Sequence, residues 1–270
     1  MGVITIYNLW VHGKCFAVRG LLFDKDGTLL EFVGLWGGWS EALIRHFTEC
    51  FPADTRQLIA DQFPALLGAH VDSKGRIVDY DRNGPLAMAS TTDLLSVLAW
   101  HGYRLGLPWS EAMTIVRRCK LAADEEMQKT RPVRALPGLK EFLERCHALQ
   151  IPLGVVTADD TVEAEKHLDW MGIRQYFQVV IGNDLVGTGK PDPEMVEKAC
   201  RQLRCSPNEV GVIGDTNGDM KMGRAAGAAL TIGFCNRKPT DSKDSYLLDA
   251  DALITDYAQV GIERSTMYEG

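Results

Sequence analysis

Beyond Gly138 the sequence settles into one rhythm, in which short apolar runs alternate with amphipathic helical stretches. Pro137-Gly138 opens a helix through about Leu149. Strands are predicted at Pro152 to Val156, Phe177 to Ile181, Val210 to Ile213, Ala229 to Gly233 and Ala252 to Ile254. Between them helices are predicted at Val162 to Met171, from Asp192-Pro193 to about Arg204, and at Asp219 to Ala226, with a short helix closing the chain. Asp192 before Pro193 pairs an N-cap with a first-turn proline. Apolar runs without alternation suit strands buried on both faces. Joined by helical crossovers, they give an open parallel sheet with helices on both sides. Such sheets bind ligands at the carboxyl ends of their strands.

A strand of the same kind, Val18 to Phe23, precedes this region and ends abruptly in Asp24-Lys25-Asp26-Gly27-Thr28. The next hundred or so residues break the rhythm. Helical stretches are predicted at Trp39 to Phe51, Asp54 to Leu67, Thr91 to His101 and Trp109 to Thr130, with a polar, turn-rich segment from Asp72 to Pro85. The expected organisation is an α/β core, residues 1–30 and 136–270, interrupted after its first strand by an all-helical insert, residues 31–135. Residues 1–17 suggest a β-hairpin around His12-Gly13, joined to the edge of the sheet.

Composition narrows the function. A net charge of −7 gives no electrostatic footprint for nucleic acid or an anionic membrane. A phosphate ligand would have to meet local positive charge instead. Seven cysteines, an odd number without a CxxC pair, read as reduced thiols. No targeting segment or membrane-spanning run is evident, so the cytoplasm is the expected compartment. Oligomeric state is not legible.

Four signals fall at predicted strand ends. In Asp24-Lys25-Asp26-Gly27-Thr28 two carboxylates two residues apart can share one site, one attacking phosphorus while the other moves protons. Gly27 allows a sharp turn. An EF-hand loop is excluded, because Leu29 stands where that loop needs glycine and Leu35 where it needs glutamate. Thr157 follows a strand, where its hydroxyl could hold phosphoryl oxygens or merely cap the next helix. Lys190, in Gly189-Lys190-Pro191, could serve as a point charge for a phosphate or be an exposed lysine. Asp215 and Asp219, in Gly214-Asp215-Thr216-Asn217-Gly218-Asp219, could hold Mg²⁺ or form a turn and helix cap. Trp36 and Trp39, at the entry to the insert, read as packing residues more readily than as substrate contacts.

In order and spacing the four signals resemble the haloacid dehalogenase superfamily of phosphohydrolases, in its phosphoglycolate-phosphatase-like branch. The first matches that family's DxDGT motif; Thr157, Gly-Lys190-Pro and Gly-Asp215-Thr-x-x-Asp219 match its second, third and fourth. The resemblance covers residues 18–30 and 136 to about 260. It implies a HAD-like α/β core with an inserted C1 helical cap; the stretch from Thr157 to Lys190 leaves no room for the alternative C2 cap. It further implies a Mg²⁺-dependent phosphatase acting on a small phosphorylated metabolite through a phospho-aspartate. Asp24 resembles the nucleophile and a metal ligand. Asp26 resembles the general acid and base, with its carbonyl on the metal. Asp215 and Asp219 resemble the remaining metal ligands, and Thr157 and Lys190 the phosphate clamp. Lys25 stands where an apolar residue is common; it is expected to point away and leave the chemistry undisturbed. The cap is expected to close over the site and select the leaving group.

Asp26 argues against a dehalogenase, which lacks an acid at that position, and against a P-type ATPase, which carries threonine there. A phosphomutase of the same family retains all four motifs and stays open. So does a catalytically silent binding or regulatory module on this fold.

Overall fold

The computed structural model describes residues 5–235 and 247–265, and its contacts divide the chain into two compact units. One unit is Met1–Glu31 with Arg134–Gly270; the other is Phe32–Val133. The chain enters through a hairpin, β1 (Tyr7–Val11) and β2 (Lys14–Val18), turning at His12-Gly13. β3 (Gly20–Phe23) follows at once and is buried throughout.

Unit 2 then begins with a π-helical turn, Val33–Gly37, running into α1 (Gly38–Glu49). α2 (Ala53–Leu67) ends at Gly68, whose φ of +73° suits glycine. β4 (Ala69–Val71) and β5 (Ile77–Tyr80) form a two-stranded antiparallel hairpin. α3 (Pro85–Met88), α4 (Thr91–Arg104) and α5 (Trp109–Thr130) complete the unit. The insert is therefore helical apart from one hairpin, which falls where the sequence reads only as polar turn. Its turn is held by Asp72, whose carboxylate accepts from the backbone of Lys74 and Arg76, while Ile77 and Tyr80 are buried and Tyr80 stacks on Phe32. Trp39 is buried and donates to Asp124 at 2.8 Å, with Trp36 against it edge to face. Both tryptophans are thus packed within unit 2.

The chain returns through α6 (Leu139–Ala148), β6 (Leu153–Val156), α7 (Thr161–Trp170) and β7 (Val179–Ile181). After these come α8 (Glu194–Leu203), β8 (Val210–Gly214), α9 (Asn217–Ala226), β9 (Leu230–Phe234), β10 (Ala252–Ile254) and β11 (Val260–Arg264). The main sheet has six parallel strands in the order β10-β9-β8-β3-β6-β7. From β3 the chain builds outward on one side through β6 and β7, then crosses to build the other side from β8. β3 is therefore the switch point at which such sheets open a ligand crevice.

Side chains alternate across the buried strand. Leu21 and Phe23 join one core with Phe142, Leu168 and Tyr257, whereas Leu22 joins the opposite core with Val196, Val212 and Met222. The N-terminal hairpin corrects an expectation. It does not extend the main sheet; β1 pairs with β11, giving a separate sheet in the order β11-β1-β2. That sheet buries Tyr7, Leu9 and Val260 in the Phe23 core, so it covers a face of the unit rather than lengthening an edge.

Candidate active site

The register places the four motifs at one end of the sheet. Phe23 pairs with Val155 on one side and with Ile213 on the other. Residues just past these positions leave the sheet together: Asp24 after β3, Thr157 after β6, Asp215 after β8. Asp24 N–H donates to the Ile213 carbonyl at 2.8 Å, which fixes the start of the first loop. Gly27 has a φ of +81°, and a Cβ there would clash with the Asp215 carboxylate. Glycine is thus required twice over, for the turn and for the close approach of the fourth motif. From beneath, the Tyr257 hydroxyl donates to the Thr28 carbonyl at 2.9 Å.

Asp24, Asp215 and Asp219 are buried, and one carboxylate oxygen of each lies within 4.8 Å of the others. Lys190, on the loop between β7 and α8, brings its ammonium to 2.5 Å from Asp24 Oδ1 and 2.6 Å from Asp219 Oδ1. One ammonium is shared by two carboxylates, with a third carboxylate beside them. Buried negative charge in excess of its partners is costly, and a cation among those oxygens relieves it. The donors are hard oxygens, a set that suits a hard divalent cation.

Electrostatics carry the mark of this crowding. Burial pushes the Asp24 carboxyl up to about 7; Asp219 and Asp26 push the same way, and Lys190 opposes them. Burial works to lower the Lys190 pKa, yet Asp219 and Asp24 outweigh it and hold the ammonium above its ordinary value.

Asp219 shows that cap and ligand are compatible roles. It sits in the first turn of α9, where its Oδ2 accepts from Thr216 N and Oγ1 at 3.0 and 2.6 Å while its own N–H donates back to Thr216 Oγ1. This capping box spends one oxygen and leaves the other facing Lys190. Thr157 is buried, with its N–H on the Ile181 carbonyl and its hydroxyl oxygen accepting from Asp159 N–H at 3.2 Å. It does not cap α7, whose N-cap is Asp160.

Lys25 departs from expectation. It is fully buried, and its Nζ lies 2.6 Å from Asp26 Oδ1, 3.2 Å from His167 Nδ1 and 3.4 Å from Asp159 Oδ2. Pointing away from Asp24 on a strand buried on both faces means pointing into the opposite core, and a lysine there must find charge. Asp159 and His167 were not singled out in the sequence. The available signal was Asp159 following Thr157 by two positions at a strand end; His167 carries none.

A family model described as haloacid dehalogenase-like hydrolase matches residues 18–227. A phosphoglycolate phosphatase from Salmonella typhimurium is 34% identical over 80% of this chain and 82% of its own length. Among solved structures, a predicted phosphoglycolate phosphatase from Haemophilus somnus has a TM-score of 0.65 at 18% identity, covering 89% of this chain and 95% of that one. A β-phosphoglucomutase from Clostridium difficile has a TM-score of 0.62 at 16% identity, covering 90% and 92%. These two likenesses are of fold. The family model spans most of the chain, and the fold gathers residues of the first, third and fourth motifs in one buried cluster; the chain belongs to the haloacid dehalogenase-like hydrolases.

Proposed function

We propose that this chain is a Mg²⁺-dependent phosphatase that cleaves a small phosphate monoester through a phospho-aspartate on Asp24. The observation that carries the reading is the buried trio Asp24, Asp215 and Asp219, two of which share the Lys190 ammonium. Hydrolases of this family generally use a divalent metal, and Mg²⁺ fits the oxygen donors Asp24, Asp215 and Asp219, to which the family resemblance adds the Asp26 carbonyl. Bound there, the cation would keep Asp24 ionised and offset the repulsion between a carboxylate and a phosphate dianion.

The residues divide the work in two steps. An Asp24 oxygen attacks phosphorus, and the bond from phosphorus to the ester oxygen breaks. Asp26 gives its proton to the departing alkoxide, which leaves as the alcohol. Asp26, now a carboxylate, takes a proton from water as that water attacks the acyl phosphate. The bond between phosphorus and Asp24 breaks, inorganic phosphate leaves, and Asp26 is protonated again. Lys190 and Thr157 hold the equatorial oxygens in both steps. Unit 2 serves as the C1 cap that selects the leaving group.

The test is phosphate release from a panel of monoesters that includes phosphoglycolate, sugar phosphates and nucleotides. Expected are turnover of at least one small ester, dependence on Mg²⁺, and a phosphorylated protein trapped by acid quench in the wild type but not in Asp24→Asn. Full turnover in excess chelator, or in Asp24→Asn, would contradict the mechanism.

A further inference from the structure

Lys25 occupies a position the chemistry above does not need, and it is expensive to keep there. It follows β3 by two residues, and its ammonium reaches His167 on α7, the helix that contributes Ala164 and Leu168 to the core of Leu21 and Phe23. A buried ammonium is tolerated only when carboxylates and hydrogen bonds replace its water. Two groups of the scaffold do this. His167 projects from α7 and is 1% exposed. Asp159 lies in the loop after β6 and is itself fixed: its Oδ1 accepts from Asp160 N at 2.9 Å, and its carbonyl accepts from Asn183 N at 2.9 Å. His167 Nδ1, which accepts from the Lys25 ammonium, lies 3.5 Å from Asp159 Oδ2, so both groups converge on that ammonium.

The third partner is different in kind. Asp26 is not part of this brace, and its side chain is 14% exposed, at the boundary between core and solvent. Its carboxylate would otherwise rotate freely on one Cα–Cβ bond at the edge of a loop. Instead, one oxygen is pinned at 2.6 Å by an ammonium that α7 and the β6 loop hold in place.

We propose that Lys25 is a positioning residue for the proton-transfer step: braced by Asp159 and His167, it fixes one oxygen of the Asp26 carboxyl group and so aims the other, which carries the proton in the first step and takes one up in the second, at the ester oxygen and the attacking water. The proposal rests on the phosphatase reading and assigns Lys25 no contact with substrate. Its consequence is selective. Proton transfer depends on geometry at the scale of a hydrogen bond, so a carboxylate left free to rotate loses part of the general-acid contribution while Asp24 attack is left in place.

The experiment measures kcat/KM, which reports the half-reaction up to loss of the leaving group, for an alkyl phosphate and for 4-nitrophenyl phosphate. The alkoxide of the first must be protonated as it leaves; 4-nitrophenolate leaves without help. Wild type, Lys25→Met, Asp26→Asn and the double variant form one cycle. Expected for Lys25→Met is a fall of about tenfold to a hundredfold on the alkyl ester and a fall at least several-fold smaller on the aryl ester. In the Asp26→Asn background, Lys25→Met should add little to the loss on the alkyl ester, because the group it positions is gone. Equal falls on both esters, or a full additional loss in the Asp26→Asn background, would overturn the proposal. Should Lys25→Met fail to fold because Asp159 is left buried without its ammonium, Lys25→Met with Asp159→Asn removes both charges and is read the same way. If Asp26→Asn itself shows no preference between the esters, the role given to Asp26 fails; if it shows the preference and the Lys25 variant does not, only the present inference fails.

Discussion

Two buried lysines stand beside the loop after β3, each shared by two carboxylates, and they differ in what joins them. Lys190 is shared by Asp24 and Asp219, with Asp215 beside them, so its cluster carries more carboxylate than ammonium. Lys25 is set among Asp26, Asp159 and His167, the last tied into the brace by its ring nitrogen. Adjacent residues just past β3 serve the two: Asp24 meets Lys190, and Lys25 meets Asp159 and His167. The cluster with the third carboxylate has the greater excess of negative charge and draws in a cation; the cluster with the histidine brace holds a neighbour still. The distinction predicts different responses to the same kind of substitution.

The largest contrast should come from removing one acid from each cluster. Asp24→Asn is expected to lower turnover by about a thousandfold or more, since the amide keeps the shape and loses the nucleophile. Asp159→Asn, which also strips a carboxylate from a buried lysine, should cost about tenfold through the loosened brace. Steady-state phosphate release with thermal melts for each variant checks both. Comparable losses in two folded variants would erase the distinction between the clusters.

The sequence carries the first cluster more plainly than the second, for a physical reason. A ligand set for phosphoryl transfer must come from strand ends that the parallel sheet aligns, so Asp24, Lys190, Asp215 and Asp219 announce themselves by type, order and position after apolar runs. The sheet was legible on the same grounds, because strands such as Val210–Gly214 are buried on both faces and read as unbroken apolar runs. The partners of Lys25 were not legible, because it leaves a strand whose every residue is interior and so meets buried groups from elements distant in sequence. His167 lies on a helix with no spacing that links it to Lys25. β11 was missed for a related cause: Val260–Arg264 is short and only partly buried, and its partner β1 lies at the opposite end of the chain. The hairpin of unit 2 was hidden under the polar residues of its own turn.

Next in size is the response to metal. Mg²⁺ added to the metal-free protein should raise the melting temperature, since a ligand that binds only the folded state stabilises it. Asp215→Asn should raise the Mg²⁺ needed for half-maximal activity by about tenfold to a hundredfold, whereas Asp159→Asn should leave that midpoint near the wild-type value. A shift of equal size in both variants would show that the cation does not distinguish the clusters.

A smaller effect follows from the raised carboxyl of Asp24. Its pKa rises from an ordinary 3.8 to about 7 on folding, chiefly through burial. The folded protein therefore holds this proton more tightly than the unfolded chain. Stability from the group is fully present below about pH 4 and is lost as pH rises through about 7. Without metal, Asp24→Asn should be more stable than the wild type at pH 8, and the gap should narrow as pH falls through 7 towards 5. Chemical denaturation in chelator at several pH values measures it; a gap that widens on acidification would contradict the sign.

The smallest predicted effect concerns the support the two clusters share. Tyr257 is fully buried, stacks on Phe142 and packs near Phe23 and Phe234. Its hydroxyl meets the Thr28 carbonyl beneath the loop that carries both Asp24 and Lys25. Tyr257→Phe keeps the ring and its packing and removes one buried hydrogen bond, a loss of about 1 kcal/mol that leaves the carbonyl without that donor. In a chain of this size that corresponds to roughly 2–4 °C in melting temperature. Because Thr28 lies beyond both clusters, the loop should loosen for Asp24 and Asp26 alike. Turnover of alkyl and aryl phosphates should then fall together and by less than about fivefold, unlike the selective fall expected of Lys25→Met. A Tyr257→Phe variant that discriminated strongly between the esters would mean that the aim of Asp26 is set from beneath the loop, and the brace of Asp159 and His167 would lose its distinct role.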